Sequence, residues 1–111
     1  MLDGVGPQLE RYMDLLSARQ KLVVSNIANV DTPGYQTQDI DFQGEFQSAL
    51  GGAPRATDVS GLPSKNDGNN VSLDREARLL AENALRFSVA TNLMRSEIQQ
   101  VRAAIKEGQG S

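Results

Sequence analysis

The sequence of 111 residues contains no cysteine and no histidine. Without cysteine there can be no disulfide bridge, no thiol nucleophile and no thiolate metal site. Without histidine the chain lacks the most common general base and the most common metal ligand. Tryptophan is absent as well, and two tyrosines and three phenylalanines allow only a thin apolar core. These absences predict a chain that is not an enzyme and that holds neither a cofactor nor a metal.

Positive charge and long apolar runs are also scarce. The formal net charge is −3, which argues against nucleic-acid binding by phosphate neutralisation. No apolar run approaches the roughly 18 residues that a membrane span requires, so no direct membrane span is expected. The first seven residues have neither the basic region nor the apolar region of a secretory signal peptide, and we expect no cleaved signal peptide.

The charges that are present divide the chain into three parts. Residues 1–30 hold three acids and three bases, and residues 72–111 hold five acids and six bases. Residues 31–71 hold six acids and only two bases. Balanced ends are typical of surface helices, whereas the acidic middle indicates a solvated connection. The pattern predicts one helical domain over residues 1–111.

The first predicted helix covers residues 8–30 and follows a flexible N-terminus at residues 1–7. Pro7 suits the start of a helix, where its missing N–H is not needed. Apolar residues then recur in steps of four and three, with one polar interruption. This seam consists of Leu9, Met13, Leu16, Gln20, Val23, Ile27 and Val30.

The second predicted helix covers residues 71–107. Ser72 is a good N-cap, and Asp74 and Glu76 suit the positive end of the helix dipole. More than four heptads follow, again with one polar member. Their seam consists of Leu73, Ala77, Leu80, Ala84, Phe87, Thr91, Met94, Ile98, Val101 and Ile105. At 1.5 Å per residue this helix is about 50 Å long and the first about 33 Å, so the pair needs oligomerisation or a partner to bury its apolar faces.

The two seams predict an all-α fold in which the long helices form an antiparallel coiled-coil hairpin. In such a pair, facing residues have a nearly constant sum of residue numbers. A sum of 110 or 111 sets Gln20 beside Thr91, the two polar residues in the overlapping seams. A buried amide and a buried hydroxyl can share a hydrogen bond and so fix the register.

The acidic middle joins these helices by a turn, a short helix and a flexible linker. Within residues 31–50, Asp41 can cap a short helix that carries Phe42, Phe46 and Leu50 on one side. Residues 51–70 are rich in Gly, Pro, Ser and Asn, which predicts a flexible linker. An enzyme that used Asp39 with Asp41 is one alternative, but this segment offers little scaffold to hold or desolvate the two acids.

The end of the first helix carries the most specific pattern, from Ser25 to Tyr35. Two asparagines three residues apart can satisfy the last carbonyls of the helix or reach a neighbouring chain. Thr32 precedes a proline and is therefore disfavoured in a helix, and Pro33-Gly34 suits the centre of a type II turn. The pattern consists of Asn26, Ile27, Ala28, Asn29, Thr32, Pro33, Gly34 and Tyr35.

This pattern resembles the N-terminal signature of the bacterial flagellar rod and hook family. Similarity to the proximal-rod branch of that family extends to Arg19-Gln20, to residues 39–42, to residues 71–76 and 81–87, and to the Ile98–Ile105 tail. It covers roughly 70 of the 111 residues and omits the linker. Two positions depart from the family pattern: Gln36 stands where a basic residue is common, and Phe87 where tyrosine is frequent.

The resemblance implies a structural role in the basal body of the flagellum. Such proteins are exported by the flagellar type III system without a cleaved signal peptide and then polymerise as part of the periplasmic drive shaft. The implied partners are other copies of the chain, neighbouring rod proteins, the basal-body adaptor protein and the export gate. Phe42 and Phe46 fit the family's gate-recognition pattern, or they are core residues of the short helix. A non-polymerising coiled-coil adaptor or export chaperone is the alternative function.

Overall fold

Two long antiparallel helices dominate the computed structural model, which describes residues 2–48 and 51–110. In chain order the elements of these ranges are α1 (Leu2–Ala28), β1 (Gln38–Ile40), α2 (Phe42–Gln47), β2 (Ala56–Asp58) and α3 (Leu73–Gly110). The molecule is elongated, with dimensions of 71 × 26 × 17 Å. In the described ranges, neither long helix contains a stretch apolar enough to cross a bilayer.

Both long helices extend beyond their predicted bounds. α1 begins at Leu2 and contains Pro7, so residues 2–7 are helical, whereas a flexible segment was predicted there; Met1 lies outside the described residues. Pro7 is the sixth residue of this helix, so it lacks the N–H that would bond the Asp3 carbonyl, and its ring crowds that carbonyl. α3 begins after its predicted cap, since Ser72 Oγ accepts a hydrogen bond of 3.2 Å from the Arg75 N–H. It continues through Gly108 to Gly110.

A two-stranded antiparallel ribbon corrects the all-α prediction. β1 pairs with β2 so that Gln38 faces Asp58 and Ile40 faces Ala56. The pairing continues outward, because the Val59 N–H donates to the Thr37 carbonyl at 2.9 Å. The segment predicted as a flexible linker thus contributes β2. Three-residue strands carry too little alternation to be recognised in a sequence.

The short helix α2 lies against α1 through its aromatic residues. Asp41 caps it as predicted, accepting a hydrogen bond from the Gly44 N–H. The Tyr12 ring meets the rings of Phe42 and Phe46 edge-on, at centroid distances of 5.2 and 5.6 Å. Leu50, the third apolar residue predicted on this helix, lies outside the described residues.

The register of the helix pair differs from the predicted one. The Asn83 amide of α3 donates to Gln20 Oε1 of α1 at 3.2 Å, and these residue numbers add to 103 rather than 110 or 111. Thr91 lies eight residues beyond Asn83, about 12 Å along the helix. The predicted pairing of Gln20 with Thr91 is therefore wrong. Its premise, that a polar seam residue finds a polar partner, holds with Asn83 in place of Thr91.

The buried face of α3 is also displaced from its apolar seam. The buried positions Glu76, Leu79, Asn83, Ala90 and Glu97 each precede a predicted seam position by one residue. One residue turns a helix by about 100°, so much of the apolar seam points away from α1. Phe87 is 38% exposed and Ile98 46% exposed.

The other predicted seam residues divide as follows. Leu16 and Val23 of α1 are buried. Half-buried are Leu9, Met13, Gln20, Ile27, Val30, Leu80, Thr91, Met94 and Val101, and exposed are Leu73, Ala77, Ala84 and Ile105. The core between the helices is centred on Leu15, Leu16, Val23 and Leu79.

Candidate functional site

Asn26 is the centre of the site, at the point where α1, the following turn, β1 and α3 meet. Its side chain is fully buried. The amide nitrogen donates to the Gln38 carbonyl and to Glu76 Oε1, both at 2.9 Å. The amide oxygen accepts from the Gln38 N–H at 3.0 Å and from Tyr35 Oη at 2.9 Å. An asparagine side chain has two N–H donors and two acceptor lone pairs, so this amide is completely satisfied.

These bonds make Asn26 a substitute for a third strand. Bonding both the N–H and the carbonyl of Gln38 is what a neighbouring strand would do at the edge of β1. Because the amide sits on a helix, it ties the ribbon directly to α1. The bond to Glu76 then ties α1 to the first turn of α3. We call Asn26, Tyr35, Gln38 and Glu76 the clamp.

Asn29 and Thr32 close the end of α1. The Asn29 amide donates to the Ser25 carbonyl at 2.8 Å, and Thr32 Oγ1 donates to Asn29 Oδ1 at 2.9 Å. The Tyr35 N–H then donates to the Thr32 carbonyl at 3.2 Å. Gly34 has a φ of +74°, as the third residue of a type II turn requires. The predicted Pro33-Gly34 turn is therefore present.

Ile27 and Ala28 complete the signature on the last turn of α1. Ile27 is half-buried, and Ala28 and Pro33 are exposed. The Ser25 hydroxyl lies 3.3 Å from Tyr35 Oη, so the tyrosine returns across the helix end to reach both Ser25 and Asn26. The signature residues are thus gathered around one helix terminus.

Asn69 and Asn70 hold the signature turn from the opposite side, a role that the sequence pattern did not indicate. The buried Asn69 amide donates to the carbonyls of Asn29 and Thr32, each at 2.8 Å. Asn70 Oδ1 accepts from the Thr37 N–H at 2.7 Å. The available signal was a pair of adjacent amides directly after Asp67-Gly68 and separated by one residue from the Ser72 cap. Short polar residues in such a position also occur in ordinary solvated turns.

Gln36, which departs from the family pattern, takes part in the same contact. Its amide nitrogen donates to the Gly68 carbonyl at 2.8 Å, and its amide oxygen accepts from the Asn70 amide at 3.0 Å. The Gly34 N–H donates to the Asp67 carbonyl at 2.8 Å. The residues before α3 therefore line the turn after α1 along its length.

A charged network extends the clamp across the ribbon. Arg19 of α1 makes two parallel hydrogen bonds of 3.0 Å to the Asp39 carboxylate. Arg75 of α3 bonds the same carboxylate at 2.6 Å and Glu76 Oε2 at 2.7 Å. Two guanidinium groups and two carboxylates thus form a neutral, largely buried chain. Bidentate arginine pairs of this kind fix geometry as well as charge.

The network shifts the acidity of Asp39 and Arg75. Burial alone would raise the pKa of Asp39, but hydrogen bonds from Arg19, the Ile40 N–H and Arg75, with the charge of Arg19, together hold it below its ordinary value. Burial opposes the charge of Arg75, yet its bonds to Glu76 and Asp39 raise its pKa. Both groups are therefore held in their charged forms.

Asp39 and Asp41 do not form a catalytic pair. Both oxygens of Asp39 are occupied by arginines and by the Ile40 N–H at 2.8 Å. The Asp41 carboxylate is occupied in capping α2. Nowhere in residues 2–48 and 51–110 do three acids gather into a group that could hold a metal ion. The acids of this segment serve the fold.

Phe42 and Phe46 have different surroundings. The guanidinium groups of Arg19 and Arg86 lie over the Phe42 ring, 5.9 and 5.7 Å from its centre, and such contacts stabilise by about 0.5–1 kcal/mol each. Phe46 is 37% exposed and borders an open apolar groove of about 470 Å³ between α1 and α3. Phe42 is therefore a packing residue in the folded chain, and Phe46 lies at an accessible edge.

The arrangement is a structural joint between the two long helices. Its hydrogen bonds and ion pairs connect α1, the turn, the ribbon and α3 within a few ångströms of Asn26. Such a joint fixes the angle and register of two helices, which a thin apolar core specifies weakly.

Comparison with known proteins gives a consistent result. The sequence pattern of the family described as flagella basal body rod protein matches residues 13–36. The flagellar basal body rod protein FlgB of Borrelia hermsii is 32% identical, over 86% of this chain and 91% of the relative. FlgB of Escherichia coli (strain K12) is 28% identical over 97% of this chain and 99% of the relative. FlgB of Yersinia ruckeri is 27% identical over 96% of this chain and 97% of the relative.

Proposed function

This chain belongs to the flagellar basal body rod protein family, and from that premise we propose that it is exported by the flagellar type III system and polymerises into the proximal rod. Its relatives are structural proteins of the rod, so a structural role in the basal body, assembly with other rod components and a place in motility follow from membership. Export, polymerisation and the proximal position are the proposal.

The observation that carries polymerisation is the apolar surface of α3. Large apolar side chains on this helix are from 38% to 67% exposed. They are Leu73, Leu85, Phe87, Val89, Leu93, Ile98 and Ile105. Leu85, Val89 and Leu93 share one face of α3, and the other four share a second face. Exposed apolar surface of this kind marks an interaction site. A subunit surrounded by other subunits would bury it.

Export in an unfolded state is supported by the small apolar core. Among the described residues, the fully or nearly fully buried apolar side chains are Leu15, Leu16, Val23, Ile40, Leu79 and Ala90. So few buried residues provide little net stability, because the loss of chain entropy offsets most of it. Binding to neighbouring subunits would then supply the missing stability at the assembly site.

We assign the assembly signature and the aromatic pair separate roles in this proposal. Asn26 to Tyr35 would set the angle between α1 and α3 with which a subunit enters the rod. Phe42 and Phe46 would be read by the export gate while the chain is unfolded, since Phe42 packs against Tyr12 once it folds. The basal-body adaptor protein and neighbouring rod proteins would meet the exposed surfaces of α3.

The proposal is tested in a strain whose own copy of the gene is deleted. We expect motility to be lost and to return when this chain is supplied, and we expect the chain in purified basal bodies at the base of the rod, as seen by electron cryomicroscopy. A chain that stays in the cytoplasm bound to exported proteins, and is absent from basal bodies, would instead support the chaperone or adaptor function.

A further inference from the structure

Asp67 and Gly68, in the loop that meets the signature turn, form one of the two Asp-Gly pairs of the chain; the other is Asp3-Gly4. In an Asp-Gly pair the aspartate side chain reacts readily with the next backbone nitrogen, because glycine has no Cβ to crowd that nitrogen. Asp67 is exposed and Gly68 is half-buried. Asn69 follows directly, so a change in the backbone of this pair moves a residue that holds the signature turn.

The reaction rearranges the backbone and consumes only water. The Gly68 nitrogen attacks Cγ of the protonated Asp67 carboxyl group: the N–Cγ bond forms, the bond from Cγ to the hydroxyl oxygen breaks, and water leaves with the amide proton. Water then adds to the former main-chain carbonyl carbon of Asp67 in the succinimide ring and breaks the bond from that carbon to nitrogen. The product is an isoaspartyl linkage, in which the backbone passes through Cβ and Cγ of Asp67 and is longer by a methylene group.

The turn that contains the pair holds it in an unreactive geometry. The Gly68 N–H donates to the Lys65 carbonyl at 2.9 Å, and neither Asn66 nor Asp67 has a positive φ, which defines a type I turn with ψ of Asp67 at about 0°. Ring closure requires the Gly68 nitrogen to eclipse Cβ of Asp67, at a ψ about 120° away from that value. The Asp67 carboxylate is also engaged, since it accepts a hydrogen bond of 3.0 Å from the Asn69 N–H.

The signature turn fixes the same peptide group from the other side. The Gly34 N–H donates to the Asp67 carbonyl at 2.8 Å, and the Gln36 amide donates to the Gly68 carbonyl at 2.8 Å. The Asp67 carbonyl and the Gly68 N–H belong to one peptide group, so rotation of that group for ring closure breaks the bonds to Gly34 and Lys65 together. The loop must therefore separate from the signature turn before Asp67 can react.

We propose that Asp67 is a site of spontaneous isoaspartate formation and that the closed signature turn protects it. The rate of modification then follows the fraction of molecules in which the loop is open. The added methylene group displaces Asn69 and Asn70 from the partners that they bond in the turn. A modified chain would therefore keep the joint open. This inference is independent of export and polymerisation.

The second Asp-Gly pair provides an internal reference for the experiment. Trypsin cuts after Arg11, Lys65 and Arg75, which places Asp3 in the peptide of residues 1–11 and Asp67 in the peptide of residues 66–75. The purified chain is kept for several weeks in warm neutral buffer, at high concentration with sucrose to favour the folded state, or in guanidinium chloride. Circular dichroism verifies the helix content of the first sample. Isoaspartate is located by fragmentation in a mass spectrometer and quantified with a methyltransferase specific for isoaspartyl carboxylates.

Asp67 should form isoaspartate in guanidinium chloride and at least about tenfold more slowly in the folded sample. Equal rates at Asp67 in the two samples would overturn the protection, and no product in guanidinium chloride would overturn the site itself. Modified chain separated by ion exchange should show faster amide exchange in residues 34–37 than unmodified chain. Unchanged exchange there would overturn the claim that modification opens the joint.

Gln36→Ala tests the signature turn as the source of the protection, because it leaves the sequence around Asp67 intact. It removes the donor to the Gly68 carbonyl and should raise the rate at Asp67 in the folded sample by about fivefold or more, with the rate at Asp3 unchanged. Gln43→Ala, at an exposed site of α2, is the matched control and should leave both rates unchanged. Equal effects of the two variants, or an equal rise at Asp3 and Asp67, would overturn the role of the turn.

Discussion

The Asn26 amide of α1 donates a 2.9 Å hydrogen bond to the Glu76 carboxylate of α3, across fifty residues of chain. Both side chains are fully buried. Because the same amide also bonds the backbone of Gln38 and the hydroxyl of Tyr35, one side chain links three segments that are distant in the sequence. A polar joint therefore holds the two helices together at one end, beside the apolar contact centred on Leu15, Leu16, Val23 and Leu79.

Replacing Asn26 should destabilise the whole fold. Asn26→Ala leaves the Gln38 backbone and the Glu76 carboxylate buried with fewer partners, at a cost of about 2–4 kcal/mol in the free energy of unfolding. Thermal unfolding followed by circular dichroism at high protein concentration measures the change. Asn92→Ala, the same substitution at an exposed site of α3, should cause no loss. Equal effects of the two variants would show that the clamp contributes nothing to stability.

Acid should weaken the joint through Asp39. The pKa of Asp39 is held below its ordinary value of 3.8, so its ion pairs contribute fully above about pH 4 and are lost as the pH falls through the lower folded value. Asp39→Asn should cost about 3 kcal/mol near neutral pH, because Arg19 and Arg75 keep their charges without it. It should also flatten the fall in stability below pH 4.

Melting temperatures between pH 2.5 and pH 7 test this expectation. Asp14→Asn, at an exposed site of α1, is the matched control and should retain the acid dependence of the unsubstituted chain. The same slope below pH 4 in Asp39→Asn would contradict the role given to Asp39.

Asn69 should govern how tightly the signature turn is held. Asn69→Ala removes two hydrogen bonds of 2.8 Å to the carbonyls of Asn29 and Thr32. Amide hydrogen exchange in residues 29–38 should then accelerate at least tenfold, whereas the middle of α1 should change less. Asn66→Ala, at an exposed position of the same loop, serves as the control. Unchanged amide exchange in Asn69→Ala would mean that the turn keeps its conformation without the two Asn69 hydrogen bonds.

Substitutions at Phe42 and Phe46 can distinguish a role in export from a role in packing. If the export gate reads them, the double variant Phe42→Ala with Phe46→Ala should stop secretion while intact protein accumulates in the cytoplasm. Tyr12→Ala removes their packing partner but leaves both phenylalanines in the chain, and it should be secreted normally. Secretion of the double variant followed by failed rod assembly would assign the pair to packing alone.

Features that depend on neighbouring residues, such as helix caps and turns, could be predicted from the sequence. Features that depend on how two distant segments pair could not. The cap at Ser72, the cap at Asp41 and the turn at Pro33-Gly34 depend on residues within four positions of each other, so their residue types suffice. The register depends on which face of α3 meets α1. There the apolar seam was misleading, because Glu76 and Asn83 occupy the buried face and the best apolar seam is partly left on the surface.

The sequence indicated the half of the candidate site that lies at the end of α1, but not the half that precedes α3. Asn26 and Asn29 stood out because they belong to a rare string, whereas Asn69 and Asn70 lie in a loop whose composition matches any solvated turn. Their importance comes from contacts with residues 29–37, more than thirty positions away. Ordinary propensities carry no information about such pairs.

The fifty-residue span between Asn26 and Glu76 also sets an order of events whenever the chain emerges from a narrow channel with its N-terminus first. α1 and the turn leave the channel early, but the carboxylate that completes the clamp arrives only when residue 76 does. At roughly 3.3 Å per residue, that delay corresponds to about 165 Å of extended chain. Until then the Asn26 amide remains in water, and two-thirds of the polypeptide has passed before the joint can close.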